Sequence, residues 1–273
     1  WRTAMIDALK ELWAYRSLVQ NLIARDLKVR YKSSVLGVVW SWLNPLLMML
    51  IFTFVFDVLW ERTDIEDYHI LFLSALLPWN FFSGAVMGGI GSIVGSAGLI
   101  KKVYFPRETL PISVVLSNMV NFLIALPVFF ILAMISGVKP TRWLIFLPLP
   151  ILIEVTFAIG IVLILSTLEV FYRDTHMLMD AIMQAWFFLT PIIYPIKRLP
   201  SQVSLLGIEF NPQVWLFRLN PMASIINTYQ DILYYGTLTT LDFLSRTAVT
   251  SLIVLIFGYW IFHRYSGRFG EVV

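Results

Sequence analysis

Long apolar runs without charged residues constrain this chain more than any other feature. Residues 33–56 and 109–138 contain no Asp, Glu, Lys or Arg, and residues 68–100 contain none either. A helix needs about 20 apolar residues to cross a bilayer core of about 30 Å. The runs predict an all-α integral membrane protein with six transmembrane helices, at 35–58, 70–98, 111–136, 143–168, 177–196 and 243–263.

The composition excludes whole classes of function. The chain of 273 residues is 59% hydrophobic and 14% charged, whereas a soluble domain has about 45–50% apolar and about 25% charged residues, so a soluble enzyme is excluded. Cysteine is absent, which excludes a disulfide scaffold, a thiolate zinc site and a cysteine nucleophile. The three histidines are far apart, and the phosphate-binding pattern GxxxxGKS/T does not occur. We expect no catalytic residue, metal site or cofactor in this chain.

The distribution of Lys and Arg predicts the orientation. Of the 20 Lys and Arg residues, thirteen lie before the first span, in the second and fourth connections and after the last span. Cytoplasmic segments of membrane proteins are richer in these residues. We therefore expect both termini in the cytoplasm and residues 197–242 on the outside.

Two segments of a single transmembrane domain, 1–273, have patterns of their own. Residues 1–34 alternate apolar and charged residues at helical spacing, which predicts an amphipathic helix in the cytoplasmic interface; the alternative is a soluble helix packed on another protein. Spans one to five are predicted within residues 35–196, and the last span with its cytoplasmic tail within 243–273. Residues 197–242 connect these two parts. Their apolar stretches, 199–208 and 219–230, are too short to cross a bilayer and predict re-entrant helices, although an ordinary amphipathic loop has a similar pattern.

Glycines and acidic residues inside the spans are interpreted as structural. The glycine-rich stretch 84–98 lies in an apolar span, so it favours close packing of helices over dinucleotide binding. Glu154 is the one clearly deep carboxylate, and Asp180 lies about one turn inside the cytoplasmic end of the predicted fifth span. A lone carboxylate makes a poor proton relay. We interpret Glu154 as a polar contact within the bundle and expect the energy source to lie outside this chain.

Four motifs, in order between about residue 20 and the C-terminus, point to a known family. They are 26–37 (DLKVRYKSSVLG) with Trp40 and 44–45 (NP), 99–111 (LIKKVYFPRETLP), 171–174 (FYRD) with 190–195 (TPIIYP), and 219–223 (LNPMA) with Tyr229 and Gly236. Each motif is weak alone, but their order and spacing together are specific. On these residues the chain resembles the ABC-2 type permease subunit of bacterial polysaccharide, O-antigen and teichoic acid exporters.

The resemblance implies a function and its partners. It implies a homodimer in the bacterial plasma (inner) membrane, with two copies of a separate ATPase that binds ATP and Mg. The substrate would be a lipid-linked polysaccharide of the O-antigen type or a teichoic acid polymer, moved from the cytoplasm to the outside, and no nucleic acid is implied. The alternatives are an ABC-2 exporter of drugs or small lipids, and an ATP-independent channel or structural membrane protein.

The same resemblance assigns candidate residues to three roles. Residues that would couple transport to the ATPase are Lys101, Lys102, Tyr104, Phe105, Arg107, Glu108, Arg30 and Tyr31; a plain topology signal is the alternative. Aromatic faces suit the C–H faces of sugar rings, and the candidates for a substrate conduit are Trp40, Trp42, Trp186, Phe187, Phe188 and Tyr194, although aromatic residues in spans often face lipid. A gate or structural role falls to Arg173, Asp174 and Glu154.

Overall fold

The structure, a computed structural model, describes residues 13–32, 37–59, 65–196, 199–200, 202–205, 208–238 and 241–273. Predictions that fall on 1–12, 33–36, 60–64, 197–198, 201, 206–207 and 239–240 lie outside the described residues. The helices are α1 (Arg16–Lys32), α2 (Trp40–Thr53), α3 (Tyr68–Ile90), α4 (Ala97–Ile100), α5 (Thr109–Ile135), α6 (Pro148–Phe171), α7 (Thr175–Phe188), α8 (Pro212–Leu219), α9 (Pro221–Gln230), α10 (Leu241–Ser266) and α11 (Phe269–Val272). Short 3₁₀ turns occur at Gly37–Val39, Val94–Ser96 and Arg142–Phe146, and π-helical turns extend α2 over Phe54–Leu59 and α9 over Asp231–Tyr235.

Five of the six predicted spans are present as long apolar helices. They cover Gly37–Phe56, Tyr68–Ile90, Thr109–Ile135, Arg142–Phe171 and Asp242–Ser266. The prediction of a full-length helix over 177–196 is wrong. There α7 has 14 residues, about 21 Å at 1.5 Å per residue, and the chain after Phe188 continues as turns. Pro191 and Pro195 lack the backbone N–H that a longer helix would need.

The ends of these helices form two distinct ends of the bundle. We call one the basic end; it comprises residues 91–108, 171–175 and 266–273, whose apolar side chains pack together with Leu22 of α1. The other, the opposite end, comprises residues 65–69, 135–142, 191–196 and 231–237. His69 Nε2 lies 2.7 Å from Ser136 Oγ there, and Tyr68 Oη donates to the Ile193 carbonyl at 2.7 Å. Therefore α7 and the turns after it run from the basic end to the opposite end.

The central helix of the bundle is α3. It packs against α2, α5, α6, α7 and α9. In an apolar stretch of 18 residues, 78% of the residues of α3 are buried, compared with 11% in the corresponding stretch of the span that contains α2. A helix that is apolar all round can be buried on every side, and side chains such as Phe72 and Phe82 are fully enclosed. In contrast, α2 exposes an apolar face that includes Leu47, Leu50, Ile51 and Phe54.

Glycines let α6 and α10 touch through their backbones. A Cβ atom on Gly160 would lie 2.7 Å from the backbone of Val254 and Leu255 in α10, and one on Gly258 would overlap the Gly160 carbonyl oxygen. Interfaces between membrane helices are enriched in such small residues because dispersion contacts grow as the backbones approach. This crossing ties the last span to α6.

The predicted packing role of the glycine-rich stretch is confirmed for its first half. A Cβ on Gly84 would meet Asn118 of α5 at 2.9 Å, and one on Gly88 would meet Val114 at 3.2 Å. Gly95 and Gly98 have no neighbouring atom within 4 Å of an added Cβ. These two lie beyond the end of α3 at Ile90, which is eight residues short of the predicted end of the span.

The connection before the last span contains a small β-hairpin and two short helices. Val203–Leu205 and Ile208–Phe210 pair antiparallel, with Val203 opposite Phe210. The helix expected over 199–208 is therefore wrong, because β-branched and aromatic residues favour strand pairing here, whereas the fold as a whole is all-α as predicted. The two short helices, α8 and α9, are about 12 and 15 Å long, so neither can cross a bilayer.

Two Asn-Pro pairs begin these helices. Asn211 Oδ1 accepts from the Val214 amide at 3.2 Å, and Asn220 Oδ1 accepts from the Ala223 amide at 3.3 Å. Proline follows each cap as the first helical residue, where its missing N–H costs nothing. Most of α9 is buried against α3, α6 and α10, so this part of the connection is a packed element of the bundle rather than a free loop.

Candidate functional site

A groove of about 500 Å³ lies between α2, α3 and α7. Each helix contributes side chains at spacings of three or four residues, which share one helix face. The lining residues are Asn44, Met48 and Phe52 of α2, Leu76, Trp79, Asn80, Ser83, Gly84 and Met87 of α3, and Asp180, Met183, Gln184, Phe187 and Phe188 of α7. The groove is open along one side, so a single chain forms a trough rather than a closed channel.

The directions of the three helices orient the groove along the bundle axis. Because α2 and α7 run away from the basic end and α3 runs towards it, Asn44, Met87 and Asp180 lie at the groove's mouth on the basic end. Phe52, Leu76 and Phe187 lie farther towards the opposite end. The charged and amide groups are therefore concentrated near one mouth, and aromatic rings follow along the groove.

The groove combines aromatic rings with uncharged hydrogen-bonding groups. The Phe187 ring lies 5.7 Å from the Trp79 ring, 5.3 Å from the Phe188 ring and 6.3 Å from the Phe52 ring, measured between centroids. Asn44, Asn80 and Gln184 add amides that both donate and accept. A sugar has apolar C–H faces and a rim of hydroxyls, so such a surface suits a carbohydrate.

Of the six predicted conduit residues, Phe187 and Phe188 line the groove and the other four lie elsewhere. Trp186 points into the bundle, where its ring meets Phe82 edge-on at 5.2 Å. Trp42 Nε1 donates to the Ile124 carbonyl of α5 at 2.9 Å. Trp40 is exposed at the start of α2, and Tyr194 lies past the end of α7, donating to the Phe188 carbonyl at 3.1 Å.

The rotation of α7 about its axis explains the departure of Trp186. Consecutive helical residues point about 100° apart, so Trp186 and Phe188, two residues apart, lie on nearly opposite sides of α7. The groove residues that sequence reasoning missed include Asn44, Trp79, Asn80, Asp180 and Gln184. A usable signal was present: polar residues recur four apart within apolar spans, as at 180 and 184.

A buried polar network behind the groove fixes α7 to α9. Asn220 Oδ1 accepts from Trp186 Nε1 at 2.8 Å, and Asn220 Nδ2 donates to the Leu189 carbonyl at 3.2 Å and to Thr190 Oγ1 at 3.0 Å. Gln230 Nε2 donates to the Pro191 carbonyl at 3.1 Å. In the turn that replaces the end of the predicted fifth span, the carbonyls of Leu189 and Pro191 are thus satisfied by Asn220 and Gln230, at the two ends of α9.

Replacing Asn220 with alanine is expected to lower stability much more than replacing Asn211, the other Asn-Pro cap. Asn220 is buried and its loss leaves several partners unpaired, at about 1–3 kcal/mol for each buried group, whereas loss of the Asn211 cap costs about 1 kcal/mol. Thermal unfolding of the two purified variants in detergent measures the difference. Equal melting temperatures for the two variants would contradict the network.

Glu154 lies in the same interior and contacts α9. Its side chain is fully buried, and Oε2 accepts from Tyr229 Oη at 2.7 Å, while Oε1 has no hydrogen-bond partner among the described residues. The Tyr229 ring also meets Phe122 of α5 edge-on at 5.8 Å. The structure therefore places Glu154 in a contact between α6 and α9, away from the groove.

The residues predicted to couple to an ATPase divide into an exposed turn and a buried anchor. Lys101, Lys102 and Tyr104 are exposed, Tyr104 to 87%, and Arg107 is half-buried. Phe105 and Glu108 are buried, and the Phe105 ring belongs to the apolar cluster of the basic end. The chain itself covers these two side chains, so a direct contact of either with a partner stays a prediction.

The remaining candidates lie at two other places. Arg30 Nη2 donates to Asn118 Oδ1 at 3.1 Å, and Tyr31 Oη donates to Asn121 Oδ1. These partners lie about 14 and 18 Å along α5 from Thr109, so Arg30 and Tyr31 fasten α1 to α5 and are not part of the 101–108 surface. Arg173 and Asp174 are both exposed in the short link between α6 and α7.

Comparisons with known proteins agree on one family. The model of the ABC-2 type transporter family matches residues 17–234. The O-antigen export system permease protein RfbA of Myxococcus xanthus is 34% identical over 269 residues, which cover 98% of this chain and 100% of that protein. The protein of the same name from Klebsiella pneumoniae is 33% identical, with 91% and 92% covered. The polysialic acid transport protein KpsM of Escherichia coli is 23% identical, with 88% and 90% covered.

Proposed function

Because this chain belongs to the ABC-2 type transporter family, we propose that it is the permease of an ATP-driven exporter that moves a lipid-linked polysaccharide of the O-antigen type out of the cytoplasm. The chain is a multi-pass protein of the bacterial inner membrane, and permeases of this family are transport subunits whose ATPase is a separate chain. In this proposal ATP and Mg are bound by the ATPase partner and this chain performs no covalent chemistry.

The groove between α2, α3 and α7 carries the proposal. It offers aromatic rings and neutral amides along one line, and these are groups that suit many weak contacts with successive sugars. A sliding polymer needs contacts that are favourable enough to admit it and weak enough to release it, as in ion conduction. Relatives named for the export of O-antigen and for the transport of polysialic acid support a polysaccharide as the substrate.

The charge at the two ends indicates which end would face the cytoplasm. Lys101, Lys102, Arg173 and Arg268 lie at the basic end, and basic residues favour the cytoplasmic side. The polymer would therefore enter at the mouth with Asn44 and Asp180 and leave at the opposite end. There α9 would be a re-entrant helix beside the external mouth.

The assembly in this proposal is a dimer of this chain with two ATPase copies. One chain supplies a trough that is open on one side, and α2 beside it exposes the apolar side chains Leu47, Leu50 and Ile51. A second copy would close the trough and cover apolar surface. The exposed turn 101–104 would dock on the ATPase, and the buried Phe105 would transmit its motion to the bundle.

Transport into inside-out vesicles that contain this chain and its partner ATPase tests the function. We expect ATP-dependent uptake of a lipid-linked polysaccharide, reduced several-fold by Phe188→Ala because that ring lines the groove and is 65% exposed. The matched control is Phe257→Ala, an exposed ring on α10 outside the groove lining, which should transport as the wild type does. Uptake of a small amphiphile but of no polysaccharide would contradict the proposal.

A further inference from the structure

Asp180 is the single ionisable side chain among the fourteen residues that line the groove in the described part of the chain. It lies five residues into α7, is exposed, and makes no ion pair with another described residue. The polar groups nearest to it in the lining pattern are the neutral amides of Asn44 and Gln184. Among the described residues that line the groove there is no Lys or Arg, so Asp180 is the one formal charge on the described groove wall.

A free carboxylate at this position indicates that the groove contains water. Ionised side chains inside membrane proteins face the bundle interior or a water-filled cavity, because contact with acyl chains is costly. The neighbouring amides can hydrate and orient the carboxylate without neutralising it. Asp180 is therefore the fixed charge that a polymer meets on the described wall of the groove.

We propose that Asp180 is a charge filter that admits uncharged sugar polymers and rejects polyanionic ones. The inference rests on the proposed function of the groove and narrows its substrate class to polymers without a carboxylate or phosphate on each repeat. A neutral sugar can donate hydroxyl protons to the Asp180 carboxylate, which strengthens a weak contact. A polyanion instead brings a like charge past Asp180 with every repeat, and no basic group in the lining offsets the repulsion.

Fixed charges are known to select ions in other pores in the same way. Rings of Asp or Glu side chains exclude anions from cation channels, and repulsion is strongest in a narrow path with low-dielectric walls. The filter should weaken with ionic strength, because the Debye length falls from about 10 Å at 0.1 M to about 3 Å at 1 M salt. Salt dependence thus distinguishes a charge filter from a steric one.

The test compares two polymers in vesicles that contain this chain and its ATPase. The probes are a lipid-linked polymer of mannose, which is neutral, and a lipid-linked polymer of sialic acid of equal length, which has one carboxylate per sugar. We expect the wild type to take up the neutral polymer at least about tenfold faster, which corresponds to about 1.4 kcal/mol. Asp180→Asn keeps the shape of the side chain. It should reduce the ratio of neutral to acidic uptake rates to about threefold or less, because uptake of the acidic polymer becomes faster.

Control measurements separate this filter from other effects. Glu271→Gln changes the same charge at an exposed position of the basic end and should leave the ratio at its wild-type value. Raising KCl from 20 to 500 mM, a roughly fivefold change in Debye length, should lower the wild-type ratio but not that of Asp180→Asn. A wild-type ratio near one, or an unchanged ratio in Asp180→Asn, would overturn the filter and leave the export function intact.

Failure of the proposed function has a different signature. In that case the wild type would take up neither polymer, in either salt. Binding then decides the filter by itself: saturation-transfer NMR on the purified chain should show contact with mannose oligomers and weaker contact with sialic acid oligomers. Contact of equal strength with both oligomers would reject the filter.

Discussion

Replacing Gly160 by leucine is expected to remove most of the folded protein from the membrane. A side chain at Gly160 points at the backbone of Val254 and Leu255, with a Cβ already at 2.7 Å. Backbone cannot rotate aside as a flexible side chain can, so α6 and α10 would have to separate. Overpacking by even a methylene costs about 1–3 kcal/mol, and here a whole isobutyl group is added at a helix crossing.

The yield of monodisperse protein, measured by size-exclusion chromatography of a fluorescent fusion, reports the result. We expect Gly160→Leu to give less than roughly a tenth of the wild-type yield, the change that about 1.4 kcal/mol produces. Gly98→Leu is the matched control, because nothing lies within 4 Å of an added Cβ there. A normal yield from Gly160→Leu would show that the two helices do not cross at this point.

Replacing Tyr104 with alanine is expected to detach the ATPase and abolish ATP-dependent transport. Tyr104 is 87% exposed and stands next to Lys101 and Lys102 on a turn anchored by the buried Phe105. Tyrosines are common among the few residues that carry most of the energy of a protein interface, and losing one costs about 2 kcal/mol or more. That energy corresponds to a roughly thirtyfold weaker complex.

Co-purification of the ATPase with the tagged permease measures this effect directly. Tyr172→Ala serves as the control, since Tyr172 is also an exposed tyrosine at the basic end, 68% exposed, but lies outside the 101–104 turn. We expect Tyr172→Ala to retain the ATPase and Tyr104→Ala to lose it. If both variants retain the ATPase equally, the docking surface lies elsewhere.

The positions of the spans could be predicted because few structures other than a helix are stable in the hydrocarbon core of a bilayer. Long runs without charge have one stable solution in a bilayer, a helix that satisfies its own backbone, and five such helices are present. The fifth predicted span failed for a reason that is not local. Asn220 and Gln230, about 30–40 residues later in the chain, supply hydrogen bonds to the carbonyls of Leu189 and Pro191, so the chain there can leave the helix without orphaned groups.

The candidate site was predictable in kind but not residue by residue. Aromatic residues on α7 were expected to meet a substrate, and Phe187 and Phe188 do line the groove. The choice between Phe187 and Trp186 depends on the rotation of α7, which is set by packing of Trp186 against Phe82 and by its bond to Asn220. Such contacts between distant segments leave no trace in local spacing.

The open side of the groove has a consequence for the cell that makes this protein. A continuous pore for ions exists in a membrane only where protein walls surround a column of water. One chain offers three helices around a trough, so an unassembled copy encloses no such column. In the proposed assembly, a copy of this chain without its partners would therefore leave the proton gradient across the inner membrane undisturbed.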